Sequence, residues 1–76
     1  MNNMVEKKLN DCREDLQELS NNDLLFEYEF ACTEVERYRQ FTDDYPANEY
    51  LQKRFDYEKQ VRSIYKDEIM KRMAGC

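Results

Sequence analysis

A chain of 76 residues with one Gly, one Pro and 38 % charged side chains reads as one domain built mostly of helix, with few places to turn. At this length only about 60 to 65 % of the surface exposed by the unfolded chain is buried, so the core is marginal and a second chain is an expected source of stability. A net charge of −5 without a clustered basic stretch disfavours general nucleic-acid binding, and the lack of histidine removes the commonest general base and metal ligand.

The first predicted helix covers residues 4–19. Val5, Leu9, Cys12, Leu16 and Leu19 recur at alternating four- and three-residue steps, which gives one narrow apolar seam. Ser20-Asn21-Asn22-Asp23 follows, short polar side chains that favour a turn and can accept from the first free amides of a new helix.

The second predicted helix covers residues 23–41 and is apolar on two sides. At about 100° per residue, Leu24, Leu25, Tyr28, Ala31, Cys32, Val35 and Tyr38 gather on one side, while Phe26, Phe30, Arg37 and Phe41 gather nearly opposite. Burying a Phe stabilises by roughly 1.5 to 3 kcal/mol, so both sides call for a cover. Either this helix is a middle layer between the other two, or its Phe side meets a second copy or the groove of another protein.

Thr42-Asp43-Asp44-Tyr45-Pro46 is the second break, because proline disfavours helical geometry in the residue before it. A third helix is predicted over residues 47–73, starting at about Pro46 or Ala47 and ending near Gly75. Leu51, Phe55, Tyr65, Ile69 and Met73 form one ridge on it, and Tyr50, Tyr57, Val61 and Ile64 a second. Glu58 and Arg62, four apart, are spaced to pair along the helix. The expected architecture is all-α: three helices, the second and third forming a long antiparallel hairpin in a small bundle.

Few chemistries survive inspection. A single glycine rules out phosphate-cradling loops, and three scattered cysteines without CxxC make a zinc site unexpected. The chain reads as no enzyme, with no cofactor and no metal. Cys12 and Cys32 fall on apolar stripes and read as small hydrophobes; Cys76 is the thiol expected to oxidise first. No run approaches the roughly 18 apolar residues of a membrane span, and MNNMVEKK lacks the apolar core of a secretory signal, so a cytoplasmic protein is expected.

Contact residues are the remaining candidates. Phe and Arg, with Tyr57 and Tyr65 next, are types enriched at binding hot spots, although Tyr also finishes small cores at a wet rim. Charge is unevenly spread: residues 1–20 carry three Lys/Arg against five Asp/Glu, residues 21–45 two against seven, and residues 46–76 seven against five. Segments of −2, −5 and +2 suit head-to-tail self-association or a basic partner. The acidic set Glu27, Glu34, Glu36, Asp43 and Asp44 is either the solvated side of the second helix or an imitation of a nucleic-acid backbone.

Leu19-Ser20, Leu24-Leu25-Phe26-Glu27 and Phe30-Ala31 resemble the helical hairpin of the sporulation-checkpoint inhibitor Sda, which binds a histidine kinase, with one residue inserted after Ser20. More broadly, small size, acidity and a two-sided aromatic helix resemble the small phage-encoded or accessory regulators, anti-CRISPR proteins among them. The resemblance implies a non-enzymatic inhibitor that occludes a functional surface of a larger host macromolecule, here through Phe26, Phe30, Arg37 and Phe41. A homodimer through aromatic surface is expected as well. An acidic mimic and a small structural assembly subunit are the alternatives.

Overall fold

The computed structural model describes residues 3–75, with side chains from Val5 onward. They form three α-helices and, among the described residues, no strand: α1 Asn3–Asp15, α2 Asn21–Asp44 and α3 Glu49–Ala74. α2 and α3 pack along one another as an antiparallel hairpin, and α1 lies against α3. The molecule measures 45 × 26 × 17 Å.

Each helix boundary has a local cause. α1 stops short of residue 19 because Leu16–Glu18 tightens into a single 3-10 turn, closed by the Leu19 amide on the Leu16 carbonyl at 3.1 Å. That turn carries Leu16 into the core, where it is 2 % exposed. Leu19 and Ser20 are extended, and the Ser20 Oγ accepts from the Asp23 amide at 3.1 Å. Since Ser20 is the cap, α2 begins at Asn21 and not at Asp23. Its end at Asp44, three residues beyond Phe41, follows from where proline acts: Pro46 forces only Tyr45 out of helical geometry, to φ −130° and ψ 67°. Pro46 itself sits in the turn and accepts from the Gln52 side-chain amide. The Asn48 side chain then accepts from the Leu51 amide at 3.1 Å and starts α3 at Glu49, later than Pro46 or Ala47. Gly75 caps the end of α3 in a right-handed conformation, its amide on the Lys71 carbonyl.

Two apolar seams hold the helices. Leu24, Ala31 and Val35, each no more than 3 % exposed, are the face of α2 that packs on α3. Leu9, Leu16 and Ile64 make the α1–α3 seam, flanked by Cys12, Leu19, Tyr57, Val61 and Tyr65. α2 is therefore no middle layer, because α1 sits against α3.

Two buried carboxylates on α3 are each met by an arginine. Glu58 pairs with Arg54 at 3.2 Å, one turn before it, and not with Arg62 as its spacing suggested. The reason lies in the seam: the Arg54 guanidinium is 5.5 Å from the ring centres of both Tyr38 on α2 and Tyr57 on α3, so the cation is already held where Glu58 is buried. Glu68 accepts from Arg72 Nε at 2.8 Å and from Gln17 Nε2 at 3.0 Å. Arg72 also donates to the Asn21 side chain and to the Leu16 carbonyl, at 2.9 and 3.0 Å. One arginine near the end of α3 thus fastens the 3-10 turn and the start of α2.

Candidate interaction surface

The position of α1 decides which side of α2 stays open. Phe26 is 71 % exposed and Phe30 59 %, one turn apart on the side of α2 that turns away from the packed Leu24, Ala31 and Val35. Arg37 continues the stripe, its side chain 60 % exposed and 3.5 Å from the Glu34 carboxylate. Its guanidinium lies 5.7 Å from the centre of the Phe41 ring. Phe41 is half-buried and meets the Tyr38 ring edge-on, with centroids 5.6 Å apart. The four residues grouped by helical periodicity share one face, and its N-terminal half is the more open.

Tyr57 and Tyr65 occupy a different place. Both are half-buried on α3 beside the Leu9, Leu16 and Ile64 cluster, so they finish a core at its rim. They nevertheless reach the Phe side of α2. A shallow depression of about 200 Å³ runs between α2 and α3, with Phe30 and Ala31 on one wall and Tyr57, Val61 and Tyr65 on the other. Arg54 and Glu58 close one end of it, and Glu27 contributes from α2. An exposed aromatic ring beside such a depression can dock on an apolar partner, and the depression can receive a side chain in return.

Burial raises the pKa of the Tyr65 hydroxyl, and its hydrogen bond to the Cys12 sulfur adds to this. The Cys12 thiol is likewise pushed up, by burial first. It is a poor nucleophile at neutral pH, consistent with a packing role. Cys32 is half-buried beside Tyr28, whose hydroxyl is pushed up by hydrogen bonding to it. Cys76 lies outside the described residues.

The acidic residues do not form one row. Glu27 and Glu34 are half-buried on the side of α2 toward the depression and Phe30, whereas Glu36 and Asp43 emerge roughly 160° around the helix. Glu36 is 2.6 Å from Arg39, which holds its carboxyl below the ordinary range, and Arg39 is also 4.0 Å from Asp43. Asp44 is exposed at the end of the helix, between the two groups. Arg37 and Arg39 thus pair with part of this set, and α2 as a whole keeps a strong negative excess.

Among the described residues no group of three or more His, Cys, Asp or Glu is placed to hold a metal ion, and no helix is long and apolar enough to cross a membrane. That Phe26 and Phe30 share one face was legible from helical period alone; that the face stays open was not, because it depends on α1 packing against α3. Nor was the apolar groove at the open end of the hairpin: Leu24, Leu25, Ile69 and Met73 line it, and their proximity depends on how α2 and α3 are aligned. No protein-family model matches the chain, and no curated protein and no solved structure is significantly similar to it.

Proposed function

We propose that this chain is a non-enzymatic protein-binding regulator that docks through the outer face of α2 and occludes a functional surface of a larger host macromolecule. The observation that carries the reading is the exposure of Phe26 and Phe30, one turn apart on a face of α2 that α1, packed against α3, leaves open. Large aromatic groups in water forgo a burial term of roughly 1.5 to 3 kcal/mol each, which a partner recovers. Phe26 and Phe30 are the anchors, Arg37 supplies polar register, and Phe41, Tyr57 and Tyr65 support the flanks. The resemblance to small phage-encoded or accessory inhibitors, anti-CRISPR proteins among them, gives the type of action, and inhibition by occlusion needs no catalytic group.

The test is Phe30→Asp. Since Phe30 is largely exposed, the variant is expected to keep its helical circular dichroism and melting temperature while losing the proteins that the wild type captures from a lysate of the cell carrying the gene. Unfolding of the variant would make Phe30 a core residue, and unchanged capture would move the contact elsewhere.

A further inference from the structure

α1 and α2 both rest on α3, and between them runs a furrow of about 480 Å³. Its floor is a straight ridge of α3, the half-buried Tyr57, Val61 and Tyr65 at four-residue steps. The furrow merges with the depression beside Phe30, which shares these three residues and Glu27. Polar atoms at the floor already have partners. The Tyr65 hydroxyl is hydrogen-bonded to the Cys12 sulfur and Glu58 is paired with Arg54, so an apolar cover strands neither.

The walls are acidic. Asp11 and Asp15 stand one turn apart on α1, and Glu27 faces them from α2. Among the described residues none of the three forms an ion pair, and Lys8 is the cation set against them. The charges converge although they come from different helices: Asp15 and Glu27 both act on the Cys12 thiol. Beyond the furrow, the stretches that supply α1 and α2 carry −2 and −5.

We propose that the furrow receives a basic amphipathic helix of another protein, its apolar ridge on Tyr57, Val61 and Tyr65, with a lysine or arginine on each flank. One cation meets Asp11 and Asp15, the other Glu27. The proposal rests on reading this side of α2 as a protein-contact surface and gives the class of element that docks there. Backbone chemistry favours a helix: the described residues hold no strand, so an extended segment finds no sheet edge for its amides and carbonyls, whereas a helix arrives with its own satisfied. The floor spans about 12 Å, or two turns of the incoming helix, and so calls for apolar anchors at i, i+4 and i+7. Charge selects the flanks, since an acidic helix or a nucleic acid would be repelled by both walls.

The probe is a labelled Leu/Lys peptide of about 18 residues, leucine on one ridge and lysine on both flanks, with a twin carrying glutamate for lysine. Fluorescence anisotropy is read as the full chain is titrated in, with circular dichroism to confirm that each variant folds. Wild type is expected to bind the lysine peptide at least about tenfold more tightly than the twin, and Asp15→Lys/Glu27→Lys to weaken it at least about tenfold. Glu14→Lys/Glu29→Lys makes the same change in net charge on the same two helices at exposed positions outside the furrow, and is expected to stay within about threefold of wild type. No binding to wild type, equal binding of the twin, or equal loss in both variants overturns the proposal, the last by showing attraction to overall charge alone. Amide shifts of the wild type need no variant: on adding the peptide they are expected to concentrate at Cys12, Val61 and Tyr65. Shifts confined elsewhere overturn the proposal, as do the same shifts on concentrating the chain alone, which would give the furrow to a second copy. Phe26 does not line the furrow. Capture from a lysate that needs Phe26 and is indifferent to Asp15→Lys/Glu27→Lys therefore overturns the docked helix while leaving the contact-surface reading intact.

Discussion

Glu68 shows how a single buried carboxylate couples stability to pH. Both of its oxygens accept a hydrogen bond, one from Arg72 and one from Gln17, and these bonds hold its pKa below the ordinary 4.5. A group whose folded pKa lies below its unfolded value stabilises the fold above the unfolded value, and the contribution is lost as pH falls through the folded one. The Glu68→Gln variant therefore melts below wild type at neutral pH, and the gap narrows on acidification from about pH 5 to about pH 3. Melting curves at a series of pH values check this. A gap that stays constant across the range would remove Glu68 from the acid response.

The helices themselves are set by their ends more than by their middles. The Ser20 hydroxyl oxygen accepts from the Asp23 amide, and the Asn48 side chain does the same for Leu51. Replacing an N-cap serine by alanine typically costs about 1 kcal/mol, so Ser20→Ala is expected to lower the unfolding free energy by that amount, read from the midpoint of a urea titration. No change would mean that the Arg72 contacts to Asn21 and Leu16 hold the turn unaided. The Ser-Asn-Asn-Asp cluster was legible as a break. Which of its members caps was not, because all four side chains can accept an amide and the choice depends on where the 3-10 turn delivers the chain.

At the scale of the whole molecule the hairpin is the stable unit and α1 the lighter attachment. α2 and α3 contact one another along their lengths, whereas α1 leans on α3 through Leu9, Cys12, Leu16 and the rim tyrosines. Opening of α1 exposes little more than this seam, so amides of Val5–Arg13 are expected to exchange with solvent faster than those in the middle of α2 and α3. Native-state hydrogen exchange by NMR checks the order. Equal protection in all three helices would show a single cooperative unit.

The sequence by itself determined the class and the count: three helices, a break at Ser20–Asp23, a second at Pro46, and a second helix with aromatic residues on the side opposite its core. These follow from local rules, since helical period, capping chemistry and the geometry before proline act within a few residues. Only the tertiary structure decided that α1 packs on α3, which leaves Phe26 and Phe30 in water while drawing Tyr57 and Tyr65 into the rim of the core. It also gave Glu58 to Arg54, because a cation held between Tyr38 and Tyr57 depends on α2 and α3 being side by side. Periodicity says which side of a helix seeks a cover, but the cover is chosen by competition among all the apolar surfaces of the chain.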